Sequence, residues 1–238
     1  PHHPPALSYL PYLETTHPDL NVETHTLRKE IFDMMHFWFK KGIDGFRMDV
    51  ITFISKHDDY PVFEGVHGDA MIDVYAQGPR LHQYLHEMNR EVLQHYDIMT
   101  VAEGPGTNLD NIHDLVDEDR QELNMNYHFE HVELGVDQRK IVNADFQNLV
   151  KYKEIMSAWA TTFDEKGWGT QWHTNHDFPR QVTWFGDDSP AHRVQSSKLL
   201  STFLLTMRGT PYYSICLLYP SDAADQRTGE EIRGADTS

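Results

Sequence analysis

The stretch GIDGFRMDVITFISK, residues 42–56, decides how this chain is read. It runs apolar through Ile43 and Phe46, then sets Arg47 and Asp49 two residues apart, on one face of a strand. A strand interior carries opposite charges only where they meet a partner. The elements around this stretch indicate what that partner is.

Upstream, Thr24 is placed to cap a helix whose apolar residues Leu27, Ile31, Met34, Met35, Trp38 and Phe39 recur at helical spacing. Lys40 and Lys41 suit its end, and Gly42 stops it. Residues 43–49 form the first strand, and residues 57–77 read as an irregular inserted loop. A helix over 79–95 leads to a strand over 96–103 ending on Glu103, and Gly104-Pro105-Gly106 turns the chain. A short helix at 108–116, a strand over 123–131, a long helix over 146–165 and a strand over 168–177 follow. Ser189-Pro190 opens the last helix, and residues 209–213 begin a fifth strand. Short apolar strands alternating with helices call for an α/β fold with a parallel sheet. In a (β/α)8 TIM barrel the chemistry lies at the C-terminal strand ends. Here Asp49, Glu103 and Asp177 are the carboxylates read at such ends.

Bulk properties narrow the function. The 238 residues suffice for a sizeable core, and the net charge of −17 argues against nucleic acid and membrane surfaces as partners. A single cysteine, Cys216, allows no internal disulfide. No apolar run is long enough to span a bilayer. Sixteen histidines invite a metal reading, but His82, His86 and Glu87 lack the His-Glu-x-x-His order, so a solvated helix face is expected and no metal ligands are assigned. Met34, Met35, Met48 and Met88 are expected in the core.

Hydrolysis of a glycosidic bond needs two carboxyls, one ionised and one protonated. Arg47 is the cation that an ionised Asp49 requires beside it. Glu103 has no cation near it in sequence, and crowding by Asp49 and Asp177 is expected to keep it protonated. Taken singly, each residue has a structural reading: an ion pair, a turn cap, a solvated Asn175-His176-Asp177 turn.

The motifs GFRMDV, TVAEGPG, TNHDFPR and HPDLN, in this order, make the chain resemble the α-amylase family of glycoside hydrolases, within it the oligo-1,6-glucosidase and α-glucosidase group. The resemblance covers residues 12–213. It implies an incomplete (β/α)8 TIM barrel containing about strands 4 to 8. Asp49 would be the nucleophile, Glu103 the general acid/base and Asp177 the transition-state stabiliser. Arg47, Val50, His176 and Arg180 would be substrate-binding or supporting residues. Val50, directly after the nucleophile, marks the relatives that prefer α-1,6 linkages. HPDLN carries His17 where the family has Gln. The family retains anomeric configuration, which implies a separation of about 5–5.5 Å between the two carboxyls.

The expected organisation is the end of an inserted subdomain over 1–23, a partial catalytic barrel over 24–213, and a non-family tail over 214–238, in which GEEIR is a residual native echo or chance. The family's upstream half, with a calcium loop in some relatives, precedes these motifs, so the chain is expected to be a fragment, poorly stable and inactive by itself. No cofactor is required, the substrate is an oligosaccharide, the oligomeric state is open, and a cytoplasmic location is expected by analogy with relatives that split imported oligosaccharides. Two other readings stay in play. Sucrose isomerases and other transglycosylases share these motifs but carry an Arg-rich loop, where this chain has only Arg180. Non-catalytic homologues, the transporter accessory subunits, lose carboxylates that this chain keeps.

Overall fold

The structure, a computed structural model, describes residues 16, 18–61, 67–134 and 149–214. The segment expected over 1–23 therefore lies largely outside the described residues, as do His17, the start of the long helix at 146–148, and all of the tail but Ser214.

Helix α1 (His25–Lys40) buries Phe32, Met35 and Phe39 and leaves Met34, Phe37 and Trp38 exposed, so Met34 is no core residue. Its three-to-four-residue spacing gives one apolar stripe, and Met34 lies off it. Strand β1 (Gly45–Met48) pairs in parallel with β2 (Met99–Glu103), Gly45 opposite Met99. A Cβ at position 45 would stand 1.8 Å from the Met99 carbonyl oxygen, so this register demands glycine. Phe39 packs edge-on against Phe46 at 5.0 Å and stacks on Tyr96 at 4.5 Å, fixing α1 against the sheet.

The segment read as an irregular loop contains helix α2 (His67–Tyr75), which buries Met71 and Tyr75 against Phe53. Its polar composition hid a stripe formed by these two residues. Helix α3 (Leu81–Glu91) places Leu81, Tyr84, Leu85 and Met88 on one buried face. Each fully buried leucine contributes about 1.5–3 kcal/mol. His82 and His86, on the opposite side, are not merely solvated. His82 Nδ1 bonds the buried Glu122 carboxylate at 2.8 Å, His86 Nε2 lies 3.1 Å from it and bonds the Arg120 carbonyl at 2.7 Å, and the Arg120 guanidinium reaches Glu122 at 3.1 Å. Among the described residues no group of three His, Cys, Asp or Glu is arranged to hold a metal ion.

After β2, helix α4 (Ile112–Val116) leads to β3 (Met125–Tyr127), parallel to β2 with Glu103 opposite Tyr127. The strand expected over 123–131 ends early, because a short helix α5 (Glu130–Glu133) takes over. Helix α6 (Leu149–Thr162) precedes β4 (Thr170–Gln171). Helices α7 (Gln181–Phe185) and α8 (Arg193–Thr206) precede β5 (Thr210–Pro211), which pairs in parallel with β4. Ser189 starts a turn ahead of α8, its carbonyl accepting from the His192 and Arg193 N–H groups, and the helix itself begins at Arg193. Side chains join the two sheets: the Thr170 hydroxyl donates to the Asn126 carbonyl at 2.9 Å and the Trp172 indole to the His128 carbonyl at 3.0 Å. Among the described residues every pairing is parallel, in one sheet of three strands and one of two, with helices between successive strands, as the alternation predicts. Among the described residues no helix is long and apolar enough to cross a membrane.

Candidate functional site

The C-terminal ends of β1 and β2 bring four of the expected residues together, Arg47, Asp49, Val50 and Glu103. Arg47 points the same way as Asp49, and its guanidinium donates to Asp49 Oδ1 through Nη1. Its Nη2 lies 2.7 Å from Glu103 Oε2. The cation therefore bridges both acids, although nothing in the sequence around Glu103 announced it. Val50 donates its N–H to the same Glu103 oxygen at 3.3 Å.

Glu103 is largely buried, whereas the Asp49 side chain is 64% exposed. Burial is the main cause that pushes the Glu103 carboxyl above the usual range. A hydrogen bond with Asp49 acts in the same direction, while Arg47 and the Val50 N–H oppose it. The expectation of crowding is thus half right: Asp49 contributes, Asp177 does not, and desolvation comes first.

Two contacts hold the strand ends in place. The Thr52 hydroxyl donates to the Pro105 carbonyl at 2.8 Å, tying the turn after β1 to the loop after β2. Buried Lys56 pairs with Asp19 of the HPDLN stretch, which anchors that stretch beside the site. A chamber of about 370 Å³ opens here, lined by Asp49, Val50, Asp19 and Lys56 over apolar walls that include Phe32 and Phe53. A second chamber, about 360 Å³, opens on Glu103 and is lined by Asp73, Glu130, Glu133 and Phe129.

Asp177 is placed differently. Strand β4 stops at Gln171, so Asp177 stands on a loop rather than at a strand end. Asn175 shapes that loop: its Oδ1 accepts from the Asp177 N–H at 2.8 Å and the Phe178 N–H at 3.1 Å. The Asp177 carboxylate lies 3.3 Å from His176 Nε2, and both side chains are exposed. Arg180 stands at the N-terminal boundary of α7. The pair His176–Asp177 and the trio Arg47–Asp49–Glu103 are thus separate groups.

Sequence reasoning missed Tyr127. It lies level with Glu103 in the β2–β3 register and packs edge-on against Trp172 at 5.8 Å and Tyr212 at 4.9 Å. Burial pushes its phenol far above the ordinary value. The available signal was its position at the end of the strand beside the one carrying Glu103. Also missed was a layer of buried histidines beneath the Asp177 loop. His173 Nε2 bonds the Tyr152 hydroxyl at 2.7 Å and its Nδ1 faces Gln181 Oε1 at 3.1 Å; His131 Nε2 bonds the Trp172 carbonyl at 2.6 Å.

Comparison with known proteins identifies the family. Residues 6–214 match the α-amylase catalytic domain. Trehalose-6-phosphate hydrolase of Bacillus subtilis (strain 168) is 44% identical over 206 residues, covering 86% of this chain and 36% of that protein. Oligo-1,6-glucosidase of Bacillus cereus is 42% identical over 209 residues, covering 86% and 37%. Among solved structures, an isomaltulose synthase variant from Erwinia rhapontici NX5 in complex with sucrose superposes with a TM-score of 0.80 at 36% identity, covering 85% of this chain and 36% of that one. The chain thus spans little more than a third of the length of these relatives, and over that span it belongs to the α-amylase catalytic-domain family of glycoside hydrolases.

Proposed function

We propose that this chain carries the catalytic carboxylates of a retaining α-glucosidase that hydrolyses short, uncharged α-glucosides, α-1,6 linkages preferred. Asp49 attacks the anomeric carbon to form a glycosyl-enzyme. Glu103 gives a proton to the departing sugar oxygen and then takes one from the incoming water. Asp177 and His176 hold the ring of the reacting glucose, Arg180 contacts the sugar beyond the cleavage point, and Arg47 keeps both carboxylates in register. Residues 24–213 form part of a (β/α)8 barrel, about strands 4 to 8, in this reading. The chemistry asks for no cofactor, and none of this chain's residues is assigned to calcium. A cytoplasmic location fits a substrate imported as a short oligosaccharide.

The observation that carries the proposal is the Asp49–Arg47–Glu103 cluster. Two acids stand at the ends of adjacent parallel strands, share one cation and differ in burial, so one is poised to stay protonated while the other faces solvent. Val50 supports the linkage preference by resemblance. Charge supports the choice of an uncharged substrate over a sugar phosphate: the chamber beside Glu103 is lined by three further carboxylates, Asp73, Glu130 and Glu133, and by no Lys or Arg among the described residues. A phosphate there would meet repulsion.

The test is product analysis with the complete protein that contains this chain. Isomaltose should yield glucose first released as the α-anomer, and Asp49→Asn should lower kcat by at least about 10³-fold. Near-wild-type turnover by that variant would remove the nucleophile assignment. The isomaltulose synthase likeness makes transfer to a sugar the second reading; isomaltulose or trehalulose from sucrose, in place of glucose plus fructose, would establish it.

A further inference from the structure

Val50 follows the candidate nucleophile with φ 36° and ψ 40°, in the left-handed region. Of the non-glycine residues with positive φ among those described, Val50, Tyr60, Gln77 and Gln121, it alone is β-branched. A β-branched residue there is strained, and such strain persists only where the surroundings impose it. They do so from both sides. Met48 is fixed in the β1–β2 ladder, and Asp49 is held by Arg47. Beyond, the Val50 carbonyl accepts from the Phe53 N–H at 3.0 Å, opening a fully buried turn over Ile51–Phe53. That turn is clamped by Thr52, whose hydroxyl bonds Pro105 and whose carbonyl accepts from Gln77 N at 3.0 Å.

The strained conformation directs one polar contact into the site, the Val50 N–H on Glu103 Oε2. Building on the acid/base assignment of Glu103 above, we infer that Val50 is a positioning residue whose left-handed backbone aims its N–H at Glu103 Oε2, so that the proton of Glu103 resides on Oε1 and is presented from there. Oε2 already receives Arg47 Nη2 at 2.7 Å. With two donors on one oxygen, a proton on that oxygen would oppose both, and the other oxygen takes it. The opposing influence of the Val50 N–H on the raised Glu103 carboxyl has the sign this requires. The role belongs to the backbone and is separate from any effect of the Val50 side chain on linkage preference.

The experiment replaces the Val50 amide by an ester in the complete enzyme, incorporating 2-hydroxy-3-methylbutanoic acid at position 50, and follows kcat/KM against pH. Loss of a donor to the carboxylate favours the protonated form, so the basic limb should move up by about 0.5–1 pH unit. An unmoved limb overturns the inference. Val50→Gly keeps the N–H, tolerates the backbone angle and should leave the limb in place. If it moves the limb by about 0.5–1 pH unit, the shift expected of the ester, the side chain carries the effect and the inference falls, even where the ester variant cannot be folded. Glu103→Gln separates this from the parent reading. If that variant retains turnover, the acid/base assignment itself fails; if it is inactive and the ester limb stays put, only the role of Val50 is lost.

Discussion

The two halves of the candidate site are built on different physics. At the ends of β1 and β2, acids stand on strand termini, share Arg47 and are locked by Thr52 against the neighbouring loop. After β4, Asp177 rides on an exposed turn shaped by one asparagine, above a layer of buried aromatic and histidine rings. The first half is rigid because charge and burial overdetermine it. The second depends on local backbone bonds that water can replace. In the reading proposed here, the covalent step belongs to the rigid half and the grip on the sugar to the adaptable one.

The most direct break in this contrast comes from Arg47→Leu. Its loss leaves the largely buried Glu103 without its cation, at a cost of about 2 kcal/mol after allowing for the partial exposure of the arginine. The pH dependence identifies the cause. Glu103 has a raised folded-state pKa, and losing the cation raises it further, so the penalty is full above that pKa and fades as the pH falls and the carboxyl takes its proton. Urea unfolding of wild type and variant at neutral and at acid pH should therefore show a gap that narrows on acidification. A constant gap would make Arg47 a packing residue.

The layer under the Asp177 loop responds to pH in the opposite sense. His128 is buried against Trp159, with ring centroids 4.7 Å apart, and its pKa is pushed down to about 4. His131 and His173 are pushed down as well, all three chiefly by burial. An unfolded histidine takes up a proton near pH 6.5, which the folded ring refuses. Stability is intact above pH 6.5 and is lost as the pH falls toward 4, by roughly 3 kcal/mol from His128. Thermal unfolding between pH 7 and 4.5 should show this slope, and His128→Gln should flatten it. An equal slope in that variant would place the acid sensitivity elsewhere.

Sequence legibility follows the same division. The parallel α/β order and the pairing of Arg47 with Asp49 were readable because strand period fixes which side chains share a face. The sharing of Arg47 with Glu103 was not readable, since it depends on the register between strands 54 residues apart in their paired residues, Gly45 and Met99. Helix α2 was lost among turn-forming residues, and the strand ascribed to residues 168–177 ends at Gln171, because Trp172 and His173 are buried by ring packing rather than by a ladder. Burial of His128, His131 and His173 could not be foreseen from residues that are ordinarily half-exposed.

The smallest effect sharpens the contrast most directly. Asn175→Ala removes the side-chain oxygen that accepts from both Asp177 N–H and Phe178 N–H. Both groups lie near solvent, so water replaces the lost bonds and the stability change should stay near 1 kcal/mol or below. The turn then samples other conformations, and Asp177 meets the sugar correctly in only a fraction of them. That cost falls on the bound states, so kcat/KM should drop by about 10-fold while the pH limb governed by Glu103 remains in place. Asn175→Asp keeps an acceptor in the same position and should recover most of the loss. If Asn175→Ala moved the Glu103 limb instead, the two halves would be electrostatically one site, and the division between a rigid acid pair and an adaptable sugar grip would fail.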